Sequence, residues 1–207
     1  MPESPELLYA TNNPGKLDEV GTFLRDLMPI ESPKGLGIRI EVEETGATLE
    51  ENALLKARAF RAEAPPEIIV MADDTGLEID ALGGEPGVKV RRWLDGKTEA
   101  TDEQIITHCL ERMRGIPKGE RAAQFRTVIA LIPPDGSERL FDGTLRGEIA
   151  EEALPLRMPG FPFRGLFFVT EAGKFLGELE DAPEQAVLTH RQAAVQKAVD
   201  WLRDYNK

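Results

Sequence analysis

The chain has 207 residues, 41% of them hydrophobic, and a formal net charge of −12. That length and apolar content support one sizeable domain with a real core, and they exclude wholesale disorder. The acidic balance excludes a general binder of nucleic-acid polymers, whose phosphates reward a basic face, but leaves room for a nucleotide held by a local basic pocket and Mg²⁺. No apolar run approaches the roughly 18 residues of a membrane span. Met1 to Glu6 is polar and lacks the basic-then-apolar layout of a signal peptide. The single cysteine, Cys109, allows no internal disulfide, so a cytoplasmic location is expected, and its spacing suits a structural place on a helix face.

Leu7 to Ala10 reads as a short strand. Pro14 to Leu27 reads as a helix, with Asn13 as N-cap and Pro14 in the first helical position. Ile38 to Val42 reads as a strand. Thr48 opens a second helix with Glu51 three residues on, the pattern of a capping box, and Leu49, Ala53, Ala57 and Phe60 recur at helical spacing. Ile68 to Ala72 is a continuous apolar run ending at Asp73-Asp74, and Leu77 to Ala81 alternates as a further strand. Gly83 to Gly87 is a turn, and Asp102 to Arg114 a helix. Phe125 to Ile132 and Arg139 to Ile149 form a hairpin around Pro133-Pro134-Asp135-Gly136. Phe161 to Val169 is aromatic and Gly-interrupted. Thr189 to Tyr205 is the last helix, capped by Thr189 with Gln192 completing a box. Strands and helices alternate early and a hairpin follows, which predicts an α/β fold on a mixed sheet.

Three segments carry more than structure requires. Thr11-Asn12-Asn13-Pro14-Gly15-Lys16 joins a strand to a helix N-terminus, whose amides favour an anion. The alternative is a surface lysine beside a good N-cap, since the full P-loop pattern is absent. Thr189-His190-Arg191 again sets basic residues at a helix start, where a bound phosphate or a nearby Asp or Glu would stabilise them. Asp73-Asp74-Thr75-Gly76 ends a buried strand. Successive strand side chains point to opposite faces, so the two carboxylates have different jobs unless the strand has already broken. Glu43-Glu44 is a second acidic pair. Oxygen ligands of this kind suit Mg²⁺, although each pair alone also fits a solvated loop.

Together these segments resemble the inosine triphosphate pyrophosphatase family, hydrolases of nucleoside triphosphates with non-standard purine bases. Thr11 to Glu19 resembles the family's T-x-N-x-x-K-x-x-E motif. Glu43 to Gly46 followed by Thr48 to Ala57 resembles its second motif, and Ala72 to Leu77 followed by Ala81 to Gly87 its third. Thr189-His190-Arg191 stands where the family has S-H-R. The resemblance covers nearly the whole chain, in order. It implies a bent mixed central sheet with flanking helices in two lobes and a cleft between them, built by residues 1–207 as a single domain, and a homodimer. It implies that Thr11, Asn13 and Lys16 hold phosphate, that Glu43 or Glu44 with Asp74 holds Mg²⁺, and that Asp74 accepts a proton from the attacking water. It places Thr75 near substrate, and Lys174, His190 and Arg191 on the nucleotide.

The base-reading segment departs from the family's G-F-G-Y-D-P-x-F. Here it runs Gly160-Phe161-Pro162-Phe163-Arg164-Gly165-Leu166-Phe167. Phe161 and Phe163 keep the aromatics that stack on a base. Arg164 replaces an acceptor with a donor, so the base edge read there is expected to differ. The resulting expectation is Mg²⁺-dependent hydrolysis of ITP-, dITP- or XTP-like nucleotides to monophosphate and pyrophosphate. The alternatives are the same chemistry on another base and a nucleotide-binding module with little turnover. Keeping Asp74, Lys16, His190 and Arg191 together favours turnover.

Overall fold

The computed structural model describes residues 6–155, 159–180 and 187–205. Its strands are β1 (Leu7–Tyr9), β2 (Ile30–Glu31), β3 (Ile69–Ile79), β4 (Pro86–Gly87), β5 (Ala122–Ile132), β6 (Arg139–Ile149), β7 (Phe167–Val169) and β8 (Lys174–Phe175). Its α-helices are α1 (Pro14–Leu24), α2 (Leu49–Glu63), α3 (Asp102–Arg112), α4 (Leu176–Glu180) and α5 (His190–Tyr205). The strands form one mixed sheet in the order β2-β1-β3-β5-β6-β7-β8, with β4 pairing β3. β1 runs parallel to β2 and β3, whereas β7 is antiparallel to β6 and β8. The expected mixed α/β fold is thus the observed one.

The chain divides into two compact units. The first comprises residues 1–75, 127–143 and 190–207. Its core is built from Leu7 and Tyr9 of β1, Ile69 and Met71 of β3, Ile129 and Leu131 of β5, Val20 and Leu24 of α1, and one face of α5 from Ala194 to Leu202. Spacing of two on the strands and of three and four on α5 places these residues on single faces. The second unit, residues 76–126 and 144–189, packs Leu77 and Ile79 against Ile105, Cys109 and Met113 of α3 and against Phe125, Phe163 and Phe167. Burial pushes the Cys109 thiol up to about 12, in keeping with a structural role. Arg121 is buried here, and its guanidinium donates to the carbonyls of Met113, Ile116, Ile149 and Ala150.

Local chemistry explains the helix starts. The Asn13 side chain accepts from the Gly15 and Lys16 amides, and Thr48 accepts from the Glu51 amide. Glu51 closes back on the Ala47 amide at 2.6 Å, one residue earlier than a capping box requires. α3 carries a full box between Thr101 and Gln104.

Four readings of the sequence need correction. α1 stops at Leu24, three residues early, and α3 stops at Arg112. Ile38 to Val42 alternates in hydrophobicity but pairs with no strand; the second strand is Ile30–Glu31 instead. The two strands read on either side of Asp73-Asp74 are one, β3, which runs unbroken through the acidic pair.

Candidate active site

Because β3 is continuous, Asp73 and Asp74 point to opposite faces of it. Asp73 follows Ile69 and Met71 on the face covered by α1 and α5 in the first unit. Asp74 faces α2.

On the first face, Asp73 is a buried hub. Its Oδ1 accepts from the Tyr9 hydroxyl at 2.7 Å, and its Oδ2 accepts from Lys16 Nζ at 2.9 Å. Arg191 Nε lies 3.5 Å from Oδ2, and the Thr75 hydroxyl lies 3.4 Å from it. Arg191 also donates from Nη1 to Glu19 at 2.6 Å and from Nη2 to Thr75 Oγ1 at 3.3 Å. Thr75 in turn lies 2.7 Å from the Thr127 hydroxyl of β5. Burial alone would raise the Asp73 carboxyl, but the charges of Lys16, Arg191 and Lys56 outweigh it and hold it well below the ordinary range. Burial lowers Lys16 in spite of Asp73. Burial also opposes the charge on Arg191, yet Glu19 and Asp73 more than compensate. Arg191 is therefore fixed as a cation at the first turn of α5. The two carboxylates answer the helix dipole that disfavours it there.

On the second face, Lys56 of α2 bridges two acids. Its Nζ lies 2.8 Å from Glu44 Oε1 and 3.1 Å from Asp74 Oδ1. Fully buried Asn52 donates to Asp74 Oδ2 at 3.1 Å, while its Oδ1 accepts from the Gly46 amide at 2.7 Å. One amide thus ties the loop carrying Glu44 to the strand carrying Asp74. Burial raises the Asp74 carboxyl; Lys56 opposes this and Glu44 adds to it. Burial disfavours charge on Lys56, but Asp74, Asp73 and Glu44 prevail and raise it. The influence of Lys56 on both aspartates makes the two faces of β3 one electrostatic unit.

Of the adjacent acids, Glu44 reaches Asp74 through Lys56, and Glu43 is exposed. Among the described residues no three His, Cys, Asp or Glu side chains converge as a metal cluster. Two carboxylates meeting on one cation do fit Mg²⁺, which is usually held by one or two carboxylates with substrate phosphates and water filling the remaining positions.

The first unit therefore brings together Asp73, Asp74, Lys16, Thr75, Arg191 and Glu44. Thr11 accepts from the Asn13 amide and lies beside them in sequence, as does Asn13, whose Oδ1 is spent on the helix cap. His190 is buried as the first residue of α5. The remaining sequence candidates belong to the second unit. Phe163 is 2% exposed, with its ring near Trp93 and Phe125, so it is a core residue. The Arg164 guanidinium lies over the Phe161 ring, 3.8 Å from its centroid, and the residue is 8% exposed. The guanidinium is therefore not turned to solvent, and Glu178 accepts from the Phe175 amide. Lys174 is exposed. Sequence reasoning missed Tyr9, Glu19, Asn52, Lys56 and Thr127. The motifs held a signal for three of them: Glu19 closes the first, and Asn52 and Lys56 lie within the second, Thr48 to Ala57.

The profile of the Ham1 family matches residues 7–201. The dITP/XTP pyrophosphatase of Thermus thermophilus is 40% identical over 200 residues, covering 96% of this chain and 92% of that protein. That of Caldanaerobacter subterraneus subsp. tengcongensis is 39% identical over 198 residues, with 95% of each covered. Among solved structures, the Ham1 protein of Staphylococcus aureus superposes with a TM-score of 0.80 at 33% identity, covering 97% of this chain and 99% of that one. A protein of this fold and site is a Ham1-type α/β protein. The chain belongs to the Ham1 family, as the resemblance of its motifs implied.

Proposed function

We propose that this protein hydrolyses nucleoside triphosphates with non-standard purine bases, of the dITP and XTP kind, to monophosphate and pyrophosphate. The observation that carries the reading is the paired arrangement on β3: Asp73 gathers Lys16 and Arg191 on one face, and Asp74 meets Glu44 through Lys56 on the other. The names of the relatives, dITP/XTP pyrophosphatases matched over nearly their whole length, agree with it. The three cations neutralise a polyphosphate, and this kind of transfer is chiefly positioning and charge neutralisation. Glu44 and Asp74 would hold Mg²⁺, which supplies charge neutralisation and a more acidic water when bound. Asp74 accepts the proton of the attacking water, and its raised pKa makes it the better base. Water oxygen bonds to the α-phosphorus, the bond from that phosphorus to the α,β-bridging oxygen breaks, and the bridging oxygen leaves on pyrophosphate. We place the enzyme in the cytoplasm as a homodimer, a state that light scattering would read directly.

The test is pyrophosphate release from dITP, XTP, dATP and dGTP, with Mg²⁺ and with EDTA. Mg²⁺-dependent release favouring dITP and XTP is expected. No release above blank, or orthophosphate as the product, overturns the reading. A second reading, the same chemistry on another base, is favoured by Arg164. Its buried guanidinium offers only donors where the family pattern has an acceptor. With ITP added to these nucleotides, Arg164→Asp should then move selectivity toward it, and an unchanged rank order of kcat/KM would dismiss that role.

A further inference from the structure

Tyr9 carries a hydroxyl into an apolar face. On β1 it shares that face with Leu7, and across the strand pair lie Ile69 and Met71, all buried in the core of the first unit. A phenylalanine would fill the same space with no polar atom. The tyrosine oxygen instead reaches one step past its partner Met71 and donates to Asp73 Oδ1 at 2.7 Å. Both groups are buried, so this hydrogen bond is shielded from water.

The bond divides the carboxylate. Oδ1 is engaged by a neutral donor, and Oδ2 alone is left to Lys16 at 2.9 Å, Thr75 at 3.4 Å and Arg191 at 3.5 Å. An aspartate turns readily about its last torsion. With Oδ1 released, both oxygens would be open to the cations, and a guanidinium takes a carboxylate best in the two-pronged mode. Lys16 and Arg191, which now share Oδ2 alone, would then be drawn more tightly onto both oxygens of Asp73.

We propose that Tyr9 is a positioning residue of the phosphate site: its hydroxyl fixes Asp73 so that Lys16 and Arg191 stand at a set separation, ready for a polyphosphate. This deepens the reading that Lys16 and Arg191 hold the substrate's phosphates. The probe is inorganic pyrophosphate with Mg²⁺, titrated calorimetrically, so the answer does not depend on turnover; dITP hydrolysis by the wild type decides the function separately. Tyr9→Phe should weaken pyrophosphate binding by about tenfold, the scale for losing a hydrogen bond to a charged group. KM for the triphosphate should rise in parallel, with kcat changing much less. A purely structural role would lower the folded fraction and leave the affinity of the remainder unchanged. In a Lys16→Ala background the Tyr9→Phe effect should shrink, because the hydroxyl acts through that cation. Should Tyr9→Phe not fold, Asp73→Asn decides. Weaker pyrophosphate binding supports a positioning hub, whereas equal or tighter binding shows that Asp73 only competes with phosphate. Wild-type affinity retained in folded Tyr9→Phe, or no pyrophosphate binding by the wild type, overturns the proposal.

Discussion

Asp73 and Asp74 are adjacent, chemically identical and driven in opposite directions. Burial raises both, yet at Asp73 the charges of Lys16, Arg191 and Lys56 outweigh it, whereas at Asp74 the single cation Lys56, opposed by Glu44, does not. A site that must keep one carboxylate permanently charged and use another as a base separates its acids in this way. Asp74→Asn should therefore abolish turnover while leaving the far-UV spectrum intact; turnover within about tenfold of wild type would remove Asp74 as base and ligand together. Asp73 makes a separate prediction about stability. Its carboxyl lies lower in the folded state than its ordinary value of 3.8. The folded chain thus holds the charged form more tightly, so stability gained from it is present above that value and lost as pH falls below it. Wild type should exceed Asp73→Asn in urea stability at about pH 6, and the gap should narrow progressively as pH falls below 3.8, closing only at the still lower folded value. A gap that stays constant across that range would mean the carboxylate charge is not what the hub contributes.

At the scale of elements, the site depends on how α2 meets the loop before it. Gly46 leaves no room for a side chain: an added Cβ would lie 2.6 Å from Asn52 Oδ1 and 2.7 Å from Glu51 Cβ. The glycine is needed for this close approach, which lets its amide reach Asn52 and bring Glu44 toward Asp74. Gly46→Ala should push the loop off Asn52 and leave α2 standing on its Thr48 cap. The Mg²⁺ concentration for half-maximal turnover should rise by about tenfold, with thermal stability falling by only a few degrees. An unchanged Mg²⁺ dependence would separate the loop from the metal. This junction also shows what the sequence made legible. Asn13 and Thr48 announced their helices because a cap is a local hydrogen bond written in one residue. The long strand was hidden, because Asp73-Asp74-Thr75-Gly76 looks like the end of a strand when its partners are 57 and 22 residues away in Lys16 and Asn52. Asn52 and Lys56 were hidden for the converse reason: polar residues four apart on a helix read as a solvated face until a buried acid is placed opposite. Ile38 to Val42 had the alternation of a strand, yet no strand forms there. The phosphate and acidic motifs were legible as motifs, and their division between two faces of β3 followed only once the strand was known to continue.

At the scale of the molecule, the two units share strands. Three of their four boundaries fall at Thr75/Gly76, Arg126/Thr127 and Gly143/Thr144, inside β3, β5 and β6, and the fourth at Thr189/His190, where α5 begins. Domain boundaries ordinarily fall in exposed, flexible segments crossed by few contacts. Here one unit cannot unfold alone without breaking three strands in mid-course, and the hydrogen bonds lost would be uncompensated by any gain in the other unit. We therefore expect residues 1–207 to unfold as one cooperative domain. The two tryptophans report on the units individually. Trp93 lies in the core of the second, while Trp201 is on α5 in the first, with its ring near Phe141 and Tyr205. Trp201→Phe leaves Trp93 as the only emitter, and Trp93→Phe leaves Trp201. Each variant shifts stability by its own amount, so the comparison is made within one protein, between its fluorescence and its far-UV circular dichroism. In both variants the two curves should share one urea midpoint and one slope, as a two-state transition requires. A fluorescence midpoint displaced from the circular dichroism midpoint in either variant would show that its unit melts independently, and the chain would then be two domains that share strands.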